Sequence, residues 1–342
     1  MKYYFYHKPK RAIEPHEDAE VNKRAKERLK YLFENQKHLI PKRYLENWSE
    51  VALYNPGGKV DSATAILIDP AEGAYDLTNK LNDLTGKDWT KFTSSWFVFN
   101  ALPSDLKQEK ELDEHIEEHP ATFSPTMISD FVKFFTKEGM TVLDPFCGIG
   151  STMEACRRTG RIGYGTELNP KYYNLILKRV PEFKNNIFNC DAALIPTLPI
   201  SGIDFCISSP PYWDILNRST KDFEKKRESK NLDVNYSDAE LDLGNIADYD
   251  QFIDKLAQIY LNIYEVLNNN AYVVIIIKNV KKGGRMYPLA WDLASKLSHK
   301  YVLKDEKIWI QDKVGLSPYG YPFSWASNII HHYCLILRKE EK

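Results

Sequence analysis

At 342 residues, 43% hydrophobic and 27% charged, the chain can bury a sizeable core and lacks the bias of a disordered or fibrous protein. A net charge of −1 excludes a globally basic nucleic-acid binder, so any such partner must be met by local patches. Five cysteines without a Cys-x-x-Cys pair or zinc spacing read as reduced thiols with no metal, and the longest apolar run, 271–277, is too short to cross a membrane. The expected location is cytoplasmic, with no membrane partner.

In chain order, residues 1–48 read as helical and basic, with Lys23, Arg24, Lys26, Arg28 and Lys30 on a solvated face or against a phosphate backbone. Pro56-Gly57-Gly58 breaks the chain. Residues 60–118 show no clear period; they hold an aromatic piece, 89–99, and an acidic run, 109–118. Regularity begins at a helix over 125–136, then a strand at 140–143, a helix at 151–158, a strand at 161–166 and a helix at 170–180. Strands at 187–190 and 203–208 precede a polar, charged interval, 214–248. A long helix over 249–267 leads into the strand 271–278, a helix at 288–298, and strands at 307–311 and 331–338. Strands alternating with helices predict an α/β fold with a doubly wound, mostly parallel sheet ending in a hairpin. The expected division is an N-terminal extension, 1–90, helical in part and serving recognition or oligomerisation, and a main domain, 91–342, with a basic insertion at 214–248.

The first motif, Asp144-Pro145-Phe146-Cys147-Gly148-Ile149-Gly150-Ser151-Thr152, lies between a strand and a helix. Its glycines let backbone turn sharply against a ligand, and the amides of the next helix face that ligand's polar end. Glu167 ends the following strand, near the ~20-residue spacing at which a carboxylate grips ribose hydroxyls. Met153 stands where a dinucleotide fingerprint needs a third glycine, which disfavours NAD. Asp191 follows the next strand and could accept from an adenine amino group, with Ala192 against the ring; helix capping is the plainer role for it.

The second motif, Ser208-Ser209-Pro210-Pro211-Tyr212-Trp213, follows the fourth strand. Two prolines fix φ and leave rigid carbonyls outside the sheet ladder. The amino group of a base is a poor nucleophile because its lone pair is delocalised into the ring. Preset acceptors, the Ser209 side chain and the Pro210 carbonyl, could bind both amino hydrogens and turn the lone pair toward a methyl donor, with Tyr212 stacking on a base rotated out of the duplex.

Together the two motifs resemble those of the amino-methyltransferases of DNA, the N4-cytosine and N6-adenine enzymes with an (Asp/Asn/Ser)-Pro-Pro-Tyr loop. The resemblance spans roughly 89–342 and includes His119-Pro120-Ala121-Thr122-Phe123, similar to the family segment that helps hold the methionine end of the cofactor. It implies a seven-stranded sheet of the class I, Rossmann-like kind, with S-adenosylmethionine at the carboxyl edge of the strands. Implied cofactor residues are Thr122, Phe123, Asp144, Pro145, Phe146, Gly148, Gly150, Ser151, Glu167, Leu168, Asp191 and Ala192. The implied catalytic loop is Ser209, Pro210, Pro211 and Tyr212. Here the cofactor motif precedes the catalytic loop, whereas many relatives have the reverse order, a permutation of the same sheet. An opening Ser resembles the N4-cytosine enzymes more than the N6-adenine ones.

Double-stranded DNA with a flipped base is thus the expected partner, met by a monomer or homodimer that a restriction endonuclease could accompany. Arg218, Lys221, Lys225, Lys226 and Arg227 lie on a basic loop that is either a phosphate contact or simply solvated, and Lys281, Lys282 and Arg285 could extend the basic rim. The aromatic stretch 319–325 either lines the base pocket or packs. No Pro-Cys nucleophile for cytosine C5 chemistry, no zinc-deaminase signature and no phosphate-binding P-loop is present. An RNA guanine-N2 or protein-glutamine methyltransferase and an inactive scaffold subunit remain alternatives.

Overall fold

The run 271–277 contains no charged or small polar residue, as suits a strand covered on both faces. In the computed structural model it forms the middle of the main sheet, and Val273 to Ile277 are completely buried. Each such side chain contributes roughly 1.5–3 kcal/mol of burial. The structure describes residues 79–100, 123–213 and 243–341 throughout, together with scattered positions before 79, chiefly 40–46, 66–69 and 73–76.

The strands are β1 (Ile66–Asp69), β2 (Gly73–Asp76), β3 (Trp96–Val98), β4 (Thr141–Asp144), β5 (Ile162–Thr166) and β6 (Ile187–Phe188), then β7 (Ile203–Ser208), β8 (Leu267–Ile277), β9 (Val280–Lys282), β10 (Arg285–Tyr287), β11 (Val302–Ile310) and β12 (His331–Arg338). The α-helices are α1 (Lys42–Glu46), α2 (Gly86–Phe92), α3 (Pro125–Phe135), α4 (Ser151–Thr159), α5 (Pro170–Arg179), α6 (Tyr249–Ile263) and α7 (Leu289–Leu297).

Two units are distinguished: residues 1–94 with 133–138, and residues 95–132 with 139–342. In the first, β1 and β2 form an antiparallel hairpin with Ile66 opposite Asp76. Thr85 caps α2 by accepting from the Asp88 amide. Asn82, fully buried, donates to the Phe134 carbonyl at 2.6 Å and accepts from the Leu84 amide at 3.0 Å. Phe92 stacks on Phe134 with ring centroids 4.0 Å apart.

The second unit is built on one sheet in the order β3-β11-β12-β8-β7-β4-β5-β6. Strands β6, β5, β4, β7 and β8 run parallel, and β12 pairs antiparallel with both β8 and β11. The chain winds from β4 outward to β5 and β6, then returns to β7 on β4's other side. Helices connecting strands in opposite directions part at that point, leaving a crevice at the carboxyl ends of β4 and β7. Helix α6 buries Phe252, Ile253, Leu256, Ile259, Tyr260 and Ile263, a 3.6-residue stripe, and Asp248 caps its start by accepting from the Gln251 amide.

The sheet has eight strands rather than the expected seven. The added edge strand β3 pairs parallel with β11, Trp96 opposite Ile308. Trp96 and Val98 are half exposed, and three consecutive apolar residues are too few to show a strand period in a sequence pattern. The β9–β10 hairpin was also absent from the pattern. Strand β6 ends at Phe188 rather than at 190, and helix α6 gives way to a 3₁₀ turn over Tyr264–Val266. Much of the basic stretch 1–48 and the acidic run 109–118 lie outside the described residues.

Candidate active site

Strand β4 ends in Asp144, and the loop to α4 carries the glycines. Asp144 is buried; its Oδ2 accepts from Thr152 Oγ1 at 2.6 Å and its Oδ1 accepts from the Phe146 amide at 2.9 Å. Burial pushes its carboxyl up to about 6, and those two hydrogen bonds pull against that rise. Gly150 starts α4 with φ 85°, and a Cβ there would press on Ile176 at 3.1 Å, so no other residue fits as easily. At the end of β5, Glu167 reaches back so that its Oε2 accepts from the Gly148 amide at 2.7 Å, while Oε1 accepts from the Asn169 amide at 2.8 Å. Asp191 follows β6 and accepts from the Ala193 amide at 2.9 Å, capping the 3₁₀ turn Ala192–Thr197.

Strand β7 ends at Ser208, whose hydroxyl lies 2.6 Å from that of Tyr260 on α6, both buried. The loop Ser209–Tyr212 follows, with the Ser209 and Tyr212 hydroxyls 3.3 Å apart. Behind it, Trp213 is buried in a cluster with the rings of Tyr249 and Tyr287, with the Lys282 ammonium 4.6 Å from its centroid. The Tyr212 ring lies 6.0 Å from that of His332, which stacks on Trp309 at 4.4 Å. Burial, reinforced by the positive charge of Lys278, pushes His332 down to about 3, so Tyr212 is backed by a neutral ring.

These segments meet around a cavity of about 1060 Å³, its open mouth included. Of the expected residues, Phe123, Asp144, Pro145, Phe146, Gly148, Ser151, Glu167, Leu168, Asp191, Ala192, Ser209, Pro210, Pro211 and Tyr212 line it. Gly150 does not and acts through its backbone; Thr122 lies outside the described residues. The lining also includes Ile128, Thr152, Tyr172, Cys190, Leu243 and Ile276, which the motifs did not single out. Thr152 closes the glycine motif and Cys190 adjoins Asp191, so both could have been read in advance; Ile128, Tyr172, Leu243 and Ile276 lie outside the motifs.

The basic candidates divide. Arg218, Lys221, Lys225, Lys226 and Arg227 lie outside the described residues. Lys281 donates to the Ser327 carbonyl at 2.5 Å, Lys282 covers Trp213, and Arg285 lies 5.4 Å from the Tyr287 ring centroid, all on or beside the β9–β10 hairpin. The aromatic stretch 319–325 does not line the cavity.

Three carboxylates, Asp144, Glu167 and Asp191, border the cavity, and no Lys or Arg among the described residues does. That donor set suits a ligand with net positive charge, hydroxyls and a planar ring, and S-adenosylmethionine has all three. Burial pushes the Cys147 and Cys206 thiols well up, so neither offers a thiolate nucleophile.

A doubly wound sheet of this order, with a glycine loop after β4 and a carboxylate after β5, is the fold of the S-adenosylmethionine-dependent methyltransferases. The chain belongs to the DNA methylase family, whose sequence model matches residues 3–178, just over half of it. The match takes in the glycine loop and Glu167, begins well ahead of residue 89, and ends before Ser209. S-adenosylmethionine is the family's methyl donor.

The chain is 28% identical over 188 residues to the type II methyltransferase M.MjaII of Methanocaldococcus jannaschii, covering 53% of this chain and 29% of that one. It is 29% identical over 133 residues to the tRNA (guanine(10)-N2)-dimethyltransferase of the same organism, covering 35% of this chain and 38% of that one. TTHA0409 of Thermus thermophilus, solved with S-adenosyl-L-methionine, is 20% identical over 44% of this chain and 54% of its own, with a TM-score of 0.31. The chain thus spans well under two thirds of the curated relatives it matches. No helix among the described residues is long and apolar enough to cross a membrane.

Proposed function

We propose that the chain is a DNA amino-methyltransferase that methylates the exocyclic amino group of a flipped base, with cytosine N4 as its acceptor. One observation carries the reading: the Ser209–Tyr212 loop and the carboxylate-clasped glycine loop line a single cavity, although they come from strands on opposite sides of the switch point. A methyl donor and a methyl acceptor need that adjacency, because displacement at carbon requires the nucleophile directly behind the leaving group.

Glu167 and Asp191 would hold the ribose and adenine ends of the cofactor, and Asp144 and Ser151 its amino-acid end, with Phe123 and Leu168 as apolar walls. Bound there, S-adenosylmethionine supplies an electrophilic methyl group on a positively charged sulfur. Ser209 and the Pro210 carbonyl accept the two amino hydrogens of the base and orient its lone pair. Tyr212, held against the neutral His332 ring, stacks on the base. The nitrogen gains the methyl group and releases one proton to solvent. The rigid Pro-Pro segment needs no rearrangement to receive the developing charge. The opening Ser209 resembles the loop of the N4-cytosine enzymes, and that resemblance supports cytosine N4 over adenine N6.

The test is transfer of labelled methyl from S-adenosylmethionine to unmethylated DNA, followed by digestion and nucleoside mass spectrometry. N4-methylcytosine is the expected product. N6-methyladenine would keep the reaction and overturn the base. Label in bulk RNA alone would favour the RNA guanine-N2 alternative, which the similarity to a tRNA (guanine(10)-N2)-dimethyltransferase supports.

A further inference from the structure

Strand β11 ends at Ile310 and β12 begins at His331, so residues 311–330 form a long connection. Its position follows from register: His331 opposes Ile310, Tyr333 opposes Ile277 at the end of β8, and Ile275 of β8 lies beside Ser208 at the end of β7. The connection therefore leaves the sheet at the same edge as the catalytic loop. Connections of this length without regular structure are uncommon in compact domains and usually functional.

Its aromatic side chains point away from the protein. Tyr321 is 81% exposed, Phe323 94% and Trp325 87%. None of them lines the cavity. The segment is nevertheless built by its own hydrogen bonds. Phe323 and Ser324 both donate amides to the Gly320 carbonyl, at 2.8 and 2.7 Å, and Asn328 accepts from the Ser317 amide and donates to its carbonyl. Gly320 has φ 82°, and a Cβ there would meet the Ser324 carbonyl oxygen at 2.4 Å, so the turn demands glycine. A turn held this way displays its rings rather than hiding them, against the cost of leaving large apolar surface in water.

Charge identifies the occupant. Lys281 on β9 donates to the Ser327 carbonyl and, at 2.9 Å, to its hydroxyl, fastening the aromatic turn to the hairpin that carries Lys282 and Arg285. Exposed rings fastened to a basic hairpin at the edge where a base must leave its stack match a duplex opened at one step, with phosphates outside and unpaired ring faces inside. A second protein copy would need apolar complementarity rather than cations.

We propose that Tyr321, Phe323 and Trp325 form a wedge that stacks on the opened duplex beside the flipped base, while Lys282 and Arg285 contact the flanking phosphates. This rests on the DNA reading of the active site. The test uses the full chain, the Tyr321→Ala/Phe323→Ala/Trp325→Ala variant, and unmethylated plasmid DNA amplified in vitro. Stacking on bases is strong enough that the variant should lose roughly tenfold to a hundredfold in kcat/KM for DNA, mostly in KM. Its affinity for S-adenosylmethionine should stay within about twofold of the parent's, the stacking being remote from that site. In the parent, DNA should quench tryptophan emission, and Trp325→Phe should remove most of that quenching. Unchanged kcat/KM for DNA in the triple variant overturns the wedge while leaving the methyltransferase reading intact. A changed molar mass of the free variant with DNA activity retained makes the patch a contact between copies and also overturns it. A parent that neither binds nor methylates DNA overturns both readings together.

Discussion

Glu167 and Gly148 are 19 residues apart in sequence, yet the Glu167 carboxylate accepts the Gly148 amide at 2.7 Å. The contact ties the end of β5 to the loop after β4, so one carboxylate both shapes the glycine turn and borders the cavity. Hydrogen bonds to charged groups contribute roughly 1.5–3 kcal/mol. Glu167→Ala should therefore weaken S-adenosylmethionine binding by about tenfold to a hundredfold, read by calorimetry, with a smaller loss for Glu167→Gln.

Asp144 gives the site a pH dependence. Its carboxyl titrates at about 6 in the folded chain, raised from 3.8 by burial. A cationic ligand favours the ionised form, so cofactor affinity should fall as pH drops through about 6. In Asp144→Asn the affinity should be lower and flat across that range. Stability runs the other way. Between 3.8 and about 6 the folded chain holds a proton that the unfolded chain has lost, so stability declines as pH rises through that window. The decline attributable to this group is on the order of 3 kcal/mol and should vanish in Asp144→Asn, as urea unfolding at several pH values would reveal.

Tyr212 and Ser209 should separate chemistry from cofactor binding. Tyr212→Ala removes the ring expected to hold the base and should lower kcat/KM for DNA by at least about tenfold, since each stacking contact is worth roughly 1–3 kcal/mol. Equilibrium dialysis should find S-adenosylmethionine affinity little changed. Tyr212→Phe keeps the ring and should retain most activity. Ser209→Ala should lower kcat more than KM, because the contact proposed for its hydroxyl is with the reacting nitrogen.

The Ser208–Tyr260 hydroxyl pair, 2.6 Å apart, locks α6 to the last residue before the catalytic loop. Tyr260 also accepts, through its carbonyl, a hydrogen bond from Tyr301 at 2.6 Å. Tyr260→Phe leaves a buried serine hydroxyl without this partner and should cost about 1–3 kcal/mol in chemical denaturation. A loss of turnover beyond the loss of folded protein would show that the pair also sets the catalytic loop.

Elements with a strong period were legible in the sequence. The stripe of α6 and the apolar run of β8 stand within a few residues of where the pattern placed them. Strand β3 was not, because three residues are too few to show a period and form a strand only by pairing with β11. The cavity followed the same division. Asp144, Glu167 and Tyr212 announced themselves through motif spacing, whereas Tyr172 and Ile276 are ordinary core-type residues until the fold brings them to the cavity.

The sequence by itself determined the α/β alternation, the two chemical loops and the family they resemble, since each is written in residues close together along the chain. Only the tertiary structure decided that both loops open on one cavity bordered by three carboxylates, and that the aromatic turn stands outside it. Strand order and register determine such meetings, and they arise from contacts between residues far apart in the chain, which no local pattern encodes.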